Sequence, residues 1–208
     1  MKRFGLTALA ATLATAATVQ VATAQLPGIP YGPVNTGTGI SVAADFGKPT
    51  SGGGSAMGVS GGLGFSSFGI SASVGSLKPS GGSSITTFAG MAGMKLIGGG
   101  LLPLTIGAQV GGYHYSLAGA GITAVMPGVW IKVTPPLFPL KPWAQVYYQT
   151  GSCGAGCTFN NEARITIGAN FNLLLGLGLH AGYDMGTKSG SLKGWGVGAH
   201  FNFRVPSL

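Results

Sequence analysis

From Gly194 to Val205 every second residue is apolar: Trp195, Val197, Ala199, Phe201, Phe203 and Val205. Between them stand Gly194, Gly196, Gly198, His200, Asn202 and Arg204. Side chains on a strand point alternately to opposite faces, so the stretch predicts a strand with one apolar face and one polar or empty face. It is long enough to cross a bilayer as part of a barrel, which takes about 9–11 residues. The same alternation recurs upstream in Ile40, Val42, Ala44 and Phe46, in Met57, Val59, Leu63 and Phe65, and in Phe68, Ile70, Ala72 and Val74. Residues 84–96 repeat it more weakly through Phe88, Ala92, Met94 and Leu96, and 102–110 through Leu102, Leu104, Ile106, Ala108 and Val110.

Residues 121–134 change parity. Ile122, Ala124 and Met126 precede Pro127, whereas Val129, Ile131 and Val133 follow it, which predicts a bulge or kink at the proline. Three further strands follow: Ala144, Val146 and Tyr148; Ala163 to Phe171; and Leu177 to Met185. The count is ten, with eight or twelve as the alternatives. Polar loops at 47–55, 77–83, 151–161 and 186–193 alternate with tight turns near Ser66-Ser67, Gly98–Gly100 and Leu174. Long loops at one end and short turns at the other are the habit of outer-membrane barrels. Two connections depart from it, since the fifth is short and the sixth, 134–141, is long and apolar. Phe65, Phe68, Phe171 and Phe203 fall near the short turns, and Phe46, Tyr148, Tyr183 and Trp195 near the long loops, as two interfacial belts would require.

Composition disfavours the soluble alternatives and leaves a soluble or fibrous Gly-rich secreted protein as the minor one. Only 7% of the residues are charged while 45% are hydrophobic, against about 25% charged in a soluble domain. Disordered chains are polar and highly charged, so disorder does not fit either. A helical membrane protein is disfavoured by the 40 glycines and by Pro103 inside the uncharged run 96–131. Residues 1–24 read as an export signal: Lys2 and Arg3, an uncharged run from Leu6, and an Ala22-Thr23-Ala24 cleavage site. Residues 25–38, with Pro27, Pro30 and Pro33, predict an extended lead-in to a barrel domain at 39–205.

With these features the chain resembles the small bacterial outer-membrane β-barrels over about 37–205. Its last strand is similar to the C-terminal assembly signal of that class, an alternating strand finishing in aromatics, here Phe201 and Phe203. Pro206-Ser207-Leu208 departs from the usual terminal Phe. The resemblance implies an all-β, antiparallel up-and-down transmembrane barrel in the bacterial outer membrane. It implies outer-membrane lipids, lipopolysaccharide and the barrel-assembly machinery as partners, and neither nucleic acid nor a cofactor.

The polar face carries the candidate chemistry. Strands 1–3 present almost only Gly, Ser and Ala inward, while the opposite arc presents Gln109, Tyr113, Gln145, Tyr147, Gln149, Asn170, Asn172, His180 and His200. Arg164, Asp184 and Arg204 complete the predicted lumen lining. His180 and His200 are expected to face each other with Asp184 close above, and Arg164 to oppose Asp184. A lumen cluster that satisfies its own hydrogen bonds is the expectation; a metal site lacks a third ligand, and the outer-membrane lipid enzymes are the catalytic alternative. A non-catalytic barrel is therefore expected, either a narrow passive pore for small polar or anionic solutes or a non-conducting barrel acting through its outer loops. Cys153 and Cys157, the only cysteines, are expected to form a disulfide that fixes a surface loop. Without the leader the chain has nine basic residues and three acids, a net charge of +6. Lys48, Lys78, Lys188 and Lys193 are expected in outer loops, as a basic rim that would favour anions.

Overall fold

The computed structural model describes residues 32–50, 53–99, 102–117, 120–154, 158–191 and 193–203. The strands are β1 (Gly39–Pro49), β2 (Gly54–Phe65), β3 (Phe68–Pro79), β4 (Ile85–Gly99), β5 (Leu102–Leu117), β6 (Ala120–Val133), β7 (Leu140–Cys153), β8 (Glu162–Asn172), β9 (Leu177–Gly186) and β10 (Lys193–Phe203). Each pairs antiparallel with the next, and β1 pairs with β10, so the ten strands close into a barrel. Closure leaves the sheet no open edge, the condition for crossing a bilayer without helices. The connections β1–β2, β3–β4, β5–β6, β7–β8 and β9–β10 lie at one end, the long-loop end. The other four, and the approach of the chain to β1, lie at the short-turn end.

The outer wall carries a broad apolar band. Val42, Val59, Ile70, Val110, Val129, Ile167 and Val197 are each exposed on it, a face that only lipid can cover at so low a charge content. The short turn after β8 is a 3₁₀ turn, Leu174–Gly176.

No bulge stands at Pro127. Pro127 pairs with Val110, and the register between β5 and β6 runs through it without a shift. Towards β7 the pairing lapses at Met126 and Pro127 and resumes in phase at Gly128↔Tyr147. Ile122, Ala124 and Met126 are buried inside the barrel, and Val125, Val129 and Ile131 face out. The parity change in the sequence marks a switch of lumen lining from the apolar Ile122, Ala124 and Met126 to Gly128, Trp130 and Lys132, and the strand stays in register. The bulge lies in β4 instead, where the register shifts between Lys95 and Ile97 and both Leu96 and Ile97 face out.

The lead-in also has more structure than expected. Residues 32–38 cross the short-turn end as a strap with Val34 buried. Gly64 and Gly69 stand on the inward faces of β2 and β3, and the space their Cβ atoms would need is held by Gly37, Asn35 and Val34. Ser66 N donates to Thr38 Oγ1 at 3.1 Å, tying the strap to the β2–β3 turn. Residues 1–31, including the predicted signal and cleavage site, lie outside the described residues.

Candidate functional site

The lumen has two unlike halves. Towards the long-loop end it is filled by side chains: Leu77, Ile85, Met91, Tyr113, Tyr115, Ile122, Ala124, Met126 and Tyr147 form one buried cluster. Tyr113 and Tyr115 stack with ring centroids 6.1 Å apart, and Gln109 Nε2 donates to Gln145 Oε1 at 3.1 Å. Room for the largest rings comes from glycines directly opposite. Trp130 lies over Gly107 and Trp143 over Gly168, and any Cβ at either glycine would overlap the indole.

Beside this apolar fill sits a charged cluster. Arg164 Nη1 contacts Glu162 Oε1 at 2.9 Å, and its Nε donates to Asp184 Oδ2 at 3.1 Å, with Nη2 on the same oxygen. Tyr147 OH and Thr166 Oγ1 donate to Asp184 Oδ1 at 2.9 and 2.7 Å, and Ser191 Oγ bonds Glu162 Oε2. Gln149 Nε2 reaches Glu162 Oε1 at 3.4 Å. The three charged side chains are at most 5% exposed. Two buried carboxylates are held by one guanidinium and a shell of neutral donors, which is the satisfaction that buried charge requires.

Towards the short-turn end the lumen opens into a vestibule of about 900 Å³. Its wall includes Ser41, Asp45, Ser60, Ser71, Lys132, Lys141, Asn170, Asn172, His180 and His200, and the strap crosses it. The bare faces of β1–β3 let it reach well up the barrel. Two lysines against one carboxylate give it a positive balance. Trp143 Nε1 donates to Asn170 Oδ1 at 2.9 Å.

A polar chain runs along the vestibule wall. His180 Nε2 bonds Asp45 Oδ1, the Nδ1 atoms of His180 and His200 are 3.1 Å apart, and His200 Nε2 lies 3.4 Å from Asn172 Oδ1. Which ring nitrogens donate along this chain is set by the tautomers of the two imidazoles. The ring centroids are 5.4 Å apart, the nitrogen separation extended by the two ring radii. The nitrogens therefore point at each other, whereas ligands of one metal would converge on a point beside that line. No group of three or more His, Cys, Asp or Glu among the described residues is placed to hold a metal ion. Asp45 and His180 meet over Gly198, where a Cβ would fall within 3 Å of both.

No protein-family model and no curated protein matches this chain. Among solved structures it is similar to the β domain of the Bordetella autotransporter BrkA, with a TM-score of 0.54 at 11% identity, over 80% of this chain and 100% of that one. The chain has the fold of a bacterial outer-membrane β-barrel. It is also similar to the KdgM porin, with a TM-score of 0.49 at 9% identity over 79% of this chain and 99% of that one. The translocator domain of the autotransporter NalP from Neisseria meningitidis gives 0.43 at 14% identity over 96% and 98%. The apolar wall of the closed barrel needs a bilayer, and the bacterial outer membrane supplies it.

In this outer-membrane barrel, Gln109, Tyr113, Gln145, Tyr147, Gln149, Arg164 and Asp184 point into the packed half, and Asn170, Asn172, His180 and His200 into the vestibule. Arg204 lies outside the described residues. Two expectations need correction. The carboxylate that joins the histidine pair is Asp45 from β1, while Asp184 belongs to Arg164. The basic rim is also not a ring of loop residues. Lys48, Lys78 and Lys193 lie within β1, β3 and β10 on the lipid-facing parity, and only Lys188 stands in a loop. Cys153 ends β7 and no cysteine is free among the described residues, while Cys157 lies outside them, so the pairing stays a proposal. Sequence reasoning left Glu162 and Thr166 out of the lumen site and missed Trp130, Trp143 and Tyr115; all stand on the inward parity of their strands, the signal that marks them.

Proposed function

We propose that this outer-membrane barrel is closed towards the cell exterior and takes small polar or anionic solutes into its vestibule from the short-turn side, which in such barrels faces the periplasm. The observation that carries this reading is the contrast between the filled half, where inward side chains such as Gln149 and Leu77 are 1% exposed, and the vestibule with Lys132, Lys141, His180 and His200 on its wall. No step of the proposal is catalytic. His114 Nδ1 lies 2.8 Å from Thr123 Oγ1 on the outer wall, but among the described residues nothing is bonded to its Nε2 to orient the ring. An acyl-release assay on phospholipid tests that point.

A narrow passive pore is the second reading. It is favoured by the Gly-, Ser- and Ala-lined wall of β1–β3, which carries the vestibule to Ser60 and Ser71 and leaves only the filled half to be crossed. Single-channel recording of the refolded protein in planar bilayers separates the two. Electrical silence in simple salt is the expected result; a steady small conductance refutes the closed barrel and establishes the pore.

A further inference from the structure

The chain has three acids, and all three, Asp45, Glu162 and Asp184, point into the barrel. Its described lysines divide by position. Lys95, Lys132 and Lys141 stand on the inward parity near the short turns, whereas Lys48, Lys78, Lys188 and Lys193 gather at the long-loop end, exposed. The second group covers a single arc of the wall. Lys48 pairs with Trp195 of β10, and Lys193 lies one same-face step beyond Trp195 on that strand. On the other side of β1 the register reaches Gly47↔Ala56, and the next residue of β2, Ser55, pairs with Lys78 of β3. Lys48, Ser55 and Lys78 are therefore level, and the two lysines are separated by two strand spacings, about 10 Å.

Beneath them the wall is built for lipid. Phe46 precedes Lys48 by one same-face step and meets Trp195 edge to face, with centroids 6.3 Å apart. Below Phe46 come Ala44, Val42 and Ile40 on the same face. This sequence of apolar band, aromatic pair and cations is that of a wall passing from hydrocarbon through interface to head groups. A solvating lysine needs no such placement. These lysines share an arc of four adjacent strands out of ten, no outward carboxylate neutralises them, and the β4–β8 wall carries none at that level.

We propose that the arc of β10, β1, β2 and β3 is a binding site for a phosphate-bearing glycolipid of the outer leaflet. Its acyl chains would lie on the Ile40–Phe46 face, and its phosphates would be held by Lys48, Lys78 and Lys193, with Lys188 overhead. Ammonium groups bind phosphate as point charges, and each gains from an anionic lipid surface about a fivefold increase in binding. The site is independent of whether the lumen conducts.

The test uses the full-length refolded protein in neutral detergent, titrated with lipopolysaccharide and followed by tryptophan fluorescence. Of the three tryptophans, Trp130 and Trp143 are buried in the lumen, so Trp195 beside Lys48 reports the outer wall. Saturable binding is expected, weakened about a hundredfold by K48Q, K78Q and K193Q together and about fivefold by each alone. The single variants keep the test alive should the triple variant fold poorly. Lys95→Gln, inside the barrel, is expected to bind as the parent does. The proposal is overturned if the triple variant binds normally, if phosphatase-treated lipopolysaccharide binds as tightly, or if inorganic phosphate at equal concentration gives the same response.

Discussion

Replacing Arg164 by Met gives the sharpest test of how the lumen is held shut. The change keeps much of the side-chain volume and removes one charge, leaving Glu162 and Asp184 inside the barrel without their guanidinium. An exposed ion pair contributes about 0–1 kcal/mol, but here the partners are 1–5% exposed, so the loss is that of an uncompensated buried charge, about 3–5 kcal/mol. The Tyr147, Thr166 and Ser191 donors remain and keep the loss from going higher. Reversible urea unfolding in phospholipid vesicles reads it directly. With a slope of about 1–3 kcal/mol per molar, the midpoint is expected to fall by at least about 1 M. The same background with Glu162→Gln and Asp184→Asn is expected to recover most of the loss, because neutral amides no longer need the guanidinium. An unfolding free energy within about 1 kcal/mol of the parent, the ceiling for a solvated pair, or a triple variant no better than Arg164→Met, would show that water already reaches the cluster and that this half of the lumen is not dry.

Ile167→Lys places a charge on the lipid face of β8 and is expected to cost about 2–4 kcal/mol in the same assay; no loss would mean that this face does not meet hydrocarbon. Gly168→Ala, on the opposite face, is expected to cost about 1–3 kcal/mol because its methyl would overlap Trp143 and the Ala181 carbonyl; a neutral outcome would place Trp143 elsewhere. Gly198→Ala should cost a similar amount, about 1–3 kcal/mol, because its methyl would overlap the Ala44 carbonyl as well as His180 and Asp45; a neutral outcome would place these groups elsewhere. For the loop after β7, whole-cell labelling with an impermeant thiol reagent is expected only after reduction, and labelling without reductant would rule out a Cys153–Cys157 disulfide.

The period of two reads well because it reports a backbone constraint: successive side chains must point to opposite faces wherever the chain is extended. Ten strands, both faces of β8 and β10, and the inward position of Gln145 or His180 all follow from it. What failed was the assumption that apolar means lipid-facing. Ile122, Ala124 and Met126 are apolar because they fill the lumen opposite Tyr113 and Tyr115, and parity counted from either neighbouring strand would have placed them there. The lysines failed for a related reason. A charged residue at a strand end reads as loop, yet Lys48, Lys78 and Lys193 continue the pleat of the apolar face beneath them. Asp45 joining His180 was hidden more deeply. It needs the register on both sides of β10, which no local pattern contains.

The chain from Asp45 to His200 crosses the joint where the first and last strands meet. That joint is the costliest to make, since it forms only when the two ends of the barrel sequence come together, and Asp45 and His180 are 135 residues apart. Elsewhere neighbouring strands are covalent hairpins and need no help to find each other. Here a side-chain clasp lies across the inside of the seam, over a glycine that leaves room for it. A wall that released cargo sideways into lipid would part at this seam, its one non-hairpin junction, and a clasp on the inner surface resists such unzipping. Under the proposed function, exchange with the lumen would consequently run along the axis, past the strap and the vestibule, and not through the wall.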